Sequence, residues 1–287
     1  MACSRCDGTG WQATVHNGVR RVERCACWGD RVTSALLADA RIPPRYAKCT
    51  LDNFVLYPNE KLAGAIRYAK TFVEQFPAVQ RGFCLVGPPG IGKSHIAASV
   101  VRQLAQEKRV RGLFYDVREL LKVIRSTYNP VVKTAEMDVL RPVMTAELLV
   151  LDDIGAEKPS EWVEETLNLI VNTRYNERLP TILTSNFEDT PDETNLDSLK
   201  VRLGYRMYSR IHEMCEVISF DGGDYRFMPT NGGPSDLSIL WERRKKKPRG
   251  SELPSRTQGP ARAQLREPRE LREPRELKWP GGKAGRS

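Results

Sequence analysis

The chain has 287 residues, 40% of them apolar, and a formal net charge of +9. That length suits about two domains around a buried core. The amino end, MACSRCDGTG, carries no apolar leader, and no run approaches the roughly 18 apolar residues of a membrane helix, so the expectation is a cytoplasmic protein with no membrane partner.

In chain order, residues 1–33 are expected to form a small metal-stapled module. Four of the seven cysteines cluster there as Cys3-x2-Cys6 and Cys25-x-Cys27. Glycines after the first pair permit a turn that aims backbone amides at the sulfurs, and TVHNGVRRVERC reads as a hairpin about Asn17-Gly18. A hairpin brings two distant cysteine pairs to one ion. The set Cys3, Cys6, Cys25 and Cys27 therefore predicts a closed, structural zinc site, with His16 as a nearby alternative ligand. Redox thiols are the competing reading. Cys49, Cys84 and Cys215 are isolated and are read as buried, inert thiols.

Residues 34–60 read as a linker, in which Ile42-Pro43-Pro44 stops a short helix. Its Tyr46, Leu51 and Phe54 either pack on the core or wrap an adenine ring. From 61 to 228 the pattern alternates. An amphipathic helix spans about Lys61 to Phe76, and strands are predicted at Gly82 to Gly87, Gly112 to Val117, Leu148 to Asp153, Thr181 to Asn186 and Glu216 to Phe220. Intervening helices make this an α/β fold, a three-layer αβα core on a parallel sheet.

Between the first of these strands and a helix over about Gly92 to Lys108 lies GPPGIGKSH. Its Gly87, Pro88, Pro89, Gly90, Ile91 and Gly92 form a loop whose amides can face phosphates at the positive end of a helix dipole. Lys93 is expected to meet the β and γ phosphates of ATP, Ser94 to ligate Mg²⁺, and His95 to close the motif. LLVLDD supplies the complementary half. Asp152 is expected in the Mg²⁺ shell, and Asp153 is placed to orient or deprotonate the attacking water. Asn186 ends the neighbouring strand and is assigned to the γ-phosphate or that water.

RELLKVIRSTYN puts Lys122, Arg125 and Tyr128 at spacings that can share a helix face, a charge pair with a stacking ring for single-stranded DNA; a solvated face is the alternative. The charge of the chain is concentrated elsewhere: 229–287 holds 15 Lys plus Arg against 7 Asp plus Glu, which leaves the first 228 residues at 30 against 29. With the LREPRE repeat of Leu265 to Leu277, that segment is expected to be a disordered basic tail and a candidate electrostatic tether to nucleic acid through Arg243 to Lys247.

GPPGIGKSH, the LLVLDDIGAE of Leu148 to Glu157, RYNERLPTILTSNF and GYRMYSRIHEMC together resemble the AAA+ ATPases of the DnaC/DnaI helicase-loader type, a group that includes IstB-like proteins. The resemblance covers roughly Cys3 to Arg226 and includes the amino-terminal zinc module. It implies an ATPase that binds a hexameric replicative helicase and helps place it on single-stranded DNA. Asp153 stands where many AAA+ proteins have glutamate, and a carboxylate one methylene shorter sits further from the water, which points to slow hydrolysis; loaders of this type also show Asp-Asp. The resemblance further implies an arginine finger from a neighbouring subunit, hence a nucleotide-dependent homo-oligomer. Arg210 is the first candidate and Arg206 the second. It also implies a core without a separate helical lid, with the chain after Phe220 passing directly into the tail. A transposase-assisting ATPase and a zinc adaptor that uses ATP as a binding switch are the competing functions.

Overall fold

The computed structural model describes residues 3–129, 135–158, 160–192 and 194–246. An antiparallel hairpin opens the chain, β1 (Trp11–His16) and β2 (Val19–Arg24), with Trp11 opposite Arg24 and His16 opposite Val19. Asn17 and Gly18 both have positive φ, 50° and 78°, as the two-residue turn requires. Helix α1 (Ala26–Asp39) starts directly at the second cysteine pair, with Cys25 at its N-cap. The boundary expected at residue 33 therefore falls inside a continuous helix. No proline or glycine interrupts the chain between Asp30 and Ala40, so the helix carries the module straight onto the core. There the Phe114 amide donates to the Ala40 carbonyl, and the Arg109 guanidinium stacks on Trp28.

The core is built on five parallel strands, β3 (Gly82–Val86), β4 (Gly112–Asp116), β5 (Leu148–Asp152), β6 (Thr181–Ser185) and β7 (Cys215–Ser219), in the order β4-β5-β6-β3-β7. Each predicted strand forms, with ends within one residue of those expected. Strand period two sends alternate residues to opposite faces. Phe83, Leu85, Phe114, Val150 and Ile182 enter one apolar core, and Cys84, Val86, Leu113, Leu151 and Leu183 enter the other. Both faces must therefore be covered by helices.

Helices α2 (Glu60–Gln75) and α3 (Lys93–Glu107) cover the first face. In α2 the apolar stripe Leu62, Ala65, Ile66, Ala69, Phe72 and Val73 recurs at helical spacing, and the Asn59 side chain caps the Leu62 amide. The second face is covered by α4 (Val117–Ser126), α5 (Glu136–Thr145), α6 (Glu161–Asn176), α7 (Leu199–Leu203) and α8 (Tyr205–Met214). Arg174 of α6 is fully buried. Its guanidinium donates to the carbonyls of Val143, Met144, Ala146 and Pro180 and to the Thr181 hydroxyl, tying α5, α6 and the start of β6 together.

Past β7 the chain does not pass directly into a tail. Residues 221–228 run back along the nucleotide loop, and α9 (Pro234–Lys246) packs on the first face through Leu237, Leu240 and Trp241. The tail expected from residue 229 is corrected here: the average composition of 229–287 is basic, but Leu237, Leu240 and Trp241 are spaced to share one helix face and bury it. Lys247 and the LREPRE repeat lie outside the described residues. Among the described residues, no helix is long and apolar enough to cross a membrane.

Candidate nucleotide site and cysteine cluster

The strand order places the loop after β3 at a crossing point. β3 lies between β6 and β7, and the chain leaves it through α3 for the far edge of the sheet, so the carboxyl ends of β3, β5 and β6 face one crevice. Gly90 and Gly92 take φ of 84° and 98°, which side chains rarely adopt. They are also crowded: a Cβ on Gly92 would lie 2.5 Å from the Phe54 ring, and one on Gly90 would lie 1.9 Å from Asp224 Oδ1. Gly92 then serves as the N-cap of α3, whose first amides have no side-chain partner.

Lys93 Nζ is held inside the loop and donates to the carbonyls of Gly87 (2.6 Å) and Pro88 (2.8 Å) and to Asn186 Oδ1 (2.7 Å). Burial pushes its amine down to about 8, against the opposing pull of Asp153 and Asp152. Asn186 is bifunctional, since its amide nitrogen donates to Asp153 Oδ1. One side chain thus links the cation to the second carboxylate. Asp153 itself has φ of 62°, a left-handed conformation at the strand end, and burial raises its carboxyl above the ordinary range.

Thr184 of β6 organises the pair of aspartates. Its hydroxyl donates to Asp152 Oδ1 at 2.6 Å and accepts from the Asp153 amide at 2.9 Å. Asp152 is also raised by burial, offset by hydrogen bonds from Thr184 and Ser94. Ser94 and Asp152 are therefore adjacent, as two ligands of one hard cation must be, and an oxygen pair of this kind fits Mg²⁺. Sequence reasoning gave a role to Asn186 at the end of this strand and to no earlier residue of it. The hydroxyl two residues earlier points to the same crevice because strand period two returns it to the same face.

The remaining expected residues separate. Phe54 packs edge-on to His95 (5.1 Å) and Tyr225 (5.3 Å) beside the loop, and His95 Nε2 lies 3.0 Å from the Thr50 carbonyl. Tyr46 instead packs towards Phe114, away from that cluster. Arg206 and Arg210 are on α8, in a groove of about 530 Å³ that they share with α6. Arg125 stacks on Trp162 at 4.5 Å, and the Tyr128 hydroxyl accepts from the Trp162 indole and donates to Glu136. Lys122 is exposed one turn away.

The segment after β7 supplies residues that sequence reading missed. The Tyr225 amide donates to the Gly90 carbonyl, Arg244 donates to those of Pro89 and Gly222, and the charges of Arg226 and Arg244 both act on Lys93. For Arg244 the signal was the helical spacing of Leu237, Leu240 and Trp241, just ahead of a basic run.

In the amino-terminal module, Cys3, Cys6, Cys25 and Cys27 bring all four sulfurs within 4.8 Å of one another. Cys3 and Cys25 are 3.8 Å apart, and Cys6 and Cys27 3.3 Å. Four thiolates about 2.3 Å from a tetrahedral zinc sit roughly 3.8 Å apart, so the donor set fits that ion. The Gly10 amide donates to Cys6 Sγ at 3.3 Å, the outer-shell contact that the DGTG turn foreshadows. His16 ends β1 opposite Val19 beside the hairpin turn and is not among the clustered ligands, so the alternative ligand is set aside.

Residues 69–231 match the family model described as IstB-like ATP binding protein. That match covers more than half of the chain. The chain belongs to the IstB-like ATP binding protein family. It is 27% identical over 173 residues to the replicative helicase loader DnaC of Escherichia coli (strain K12), covering 59% of this chain and 65% of that relative. The chain thus spans just under two thirds of the length of that protein. The crystal structure of the DnaC helicase loader superposes with a TM-score of 0.55 at 29% identity, covering 62% of this chain and 99% of that one. The crystal structure of DnaI superposes with a TM-score of 0.51 at 26% identity, over 62% and 94%. The IstB-like domain here is therefore an AAA+ P-loop ATPase fold homologous to the DnaC and DnaI loaders in sequence and in structure.

Proposed function

We propose that the chain is an ATP-hydrolysing loader for a hexameric replicative helicase, which it binds and helps to place on single-stranded DNA. The observation that supports this most is the continuous link Lys93–Asn186–Asp153 beside the Ser94–Asp152–Thr184 set, on a core homologous to DnaC. In this reading the β and γ phosphates replace the Gly87 and Pro88 carbonyls as partners of Lys93. Mg²⁺, held by Ser94 and Asp152, neutralises phosphate charge when bound. Asp153 orients the water and takes its proton, helped by the raised affinity for protons that burial confers. Asn186 keeps that carboxylate in register with the cation. Arg210, or Arg206 one turn before it, comes from a neighbouring subunit to meet the charge that develops on the γ-phosphoryl group. Zinc on the four cysteines folds the module that contacts the helicase, and Lys122 with the Arg125–Trp162–Tyr128 cluster contacts DNA.

Native mass spectrometry of the chain with the replicative helicase from its own source, with ATP, with ADP and without nucleotide, tests the reading. The expected result is a nucleotide-dependent complex with one zinc per chain. ATPase activity without a complex in any state would overturn it and favour a transposase as client, the reading that the IstB-like family match would then carry.

A further inference from the structure

The groove between α6 and α8 mixes opposite charges without pairing them. Glu161, Glu164 and Glu165 of α6 line it with Arg206 and Arg210 of α8. Among the described residues neither arginine has an ion pair, and the three glutamates are exposed. Leu169, 47% exposed, lies on the same wall. On the other side of the molecule the last turn of α9 carries Arg243, Arg244, Lys245 and Lys246. Arg244 is committed to the rim of the nucleotide loop through Pro89, and Lys245 pairs with Glu242 over the Trp241 ring. Arg243 and Lys246 remain exposed with no hydrogen bond or ion pair among the described residues.

We propose that the α6–α8 groove docks a second copy of this chain, and that Glu161, Glu164 and Glu165 receive Arg243 and Lys246 of its α9. The inference deepens the reading in which Arg206 or Arg210 acts in trans, and it rests on that reading. If either arginine reaches a neighbour's phosphates, the glutamates one helix away must come to lie beside that neighbour's loop rim. Arg244 fixes the α9 cations at that rim, so the acidic wall meets the basic turn. The contact is head-to-tail, with two different faces of the same chain, and it can close into a ring or run on as a filament. Its charges also reject the inverted arrangement, because α9 against α9, or α6 against α6, would oppose like charges. The unpaired cations of α9 thereby have a use other than a tether to nucleic acid.

Two variants that each reverse one face test the contact: E164K/E165K and R243E/K246E. Sedimentation velocity with a non-hydrolysable ATP analogue reads assembly, and thermal melting checks that each variant folds. Each variant alone should associate at least tenfold more weakly than the unaltered chain, because both of its faces then carry the same sign. An equimolar mixture should recover association, since the faces alternate in sign again. Association of either variant at the unaltered strength, or a mixture no better than its parts, would overturn the inference. The reading beneath it has a separate readout, ATPase activity restored by mixing Lys93→Ala with Arg210→Ala chains. Restored activity with charge reversals that do nothing removes the α6–α9 contact alone. An unaltered chain that stays monomeric with nucleotide removes both.

Discussion

Lys93 illustrates how one buried side chain sets a condition on binding. Its amine, pushed down to about 8 by burial, is largely protonated at pH 7 and largely neutral by pH 9 in the free protein. Phosphates favour the ammonium form, so above about pH 8 binding must take up a proton. Nucleotide affinity is expected to fall from there by up to tenfold per pH unit, with proton uptake visible by titration calorimetry in buffers of different ionisation enthalpy. Lys93→Met should abolish that proton uptake along with most of the affinity. At Asp153 the expectation differs. Asp153→Asn keeps the shape and a hydrogen-bonding amide, so nucleotide affinity should change less than threefold while hydrolysis falls by about 100-fold or more, the range for loss of a general base. Equal losses in both would assign Asp153 to binding.

At the level of elements, α9 is the piece that composition concealed. Its buried Leu237, the Trp241 ring packed edge-on against Tyr57 at 5.9 Å and the bond from the Trp241 indole to Asp221 fasten it beside the loop. Removing that anchor opens a cavity in a packed core. Leu237→Ala is expected to cost about 2–4 kcal/mol in urea unfolding, well above the change for the exposed Ile239→Ala on the same helix. The parallel strands were legible because each is a short apolar run bounded by turn residues, and the hairpin because Asn17-Gly18 is the strongest two-residue turn signal. Helix α9 was not, because three apolar residues just ahead of a run of Arg and Lys gain their meaning from the surface they meet.

For the whole molecule the question is how far the amino-terminal module depends on its metal. The exposed β1–β2 hairpin contributes little apolar burial: Val15, Val19 and Val22 are 67%, 57% and 67% exposed. Without an ion, four thiols would have to stand in for a core. Chelation, or Cys6→Ser with Cys25→Ser, is expected to release one zinc per chain and unfold the hairpin, read as a change in the fluorescence of Trp11 and Trp28. The five-stranded core has its own two apolar layers, so it should keep nucleotide affinity within about twofold. Loss of nucleotide binding with the zinc would mean that α1, which bridges the two through Ala40 and Phe114, couples their stability.

By itself the sequence determined the local chemistry: which residues make the phosphate loop, which carboxylates end a buried strand, which four sulfurs can share an ion. These are short-range patterns, and backbone stereochemistry and side-chain period make them readable without a partner. Tertiary structure decided which distant groups meet. Thr184 joins both aspartates because β5 and β6 are neighbours in the sheet, and Asn186 spans Lys93 and Asp153 because β3 lies beside β6. Arg244 reaches Pro89 across 155 residues of chain because α9 folds back over the first face. The strand order that makes these contacts follows from long-range burial, whose energy is shared among many side chains and is marked by no one of them.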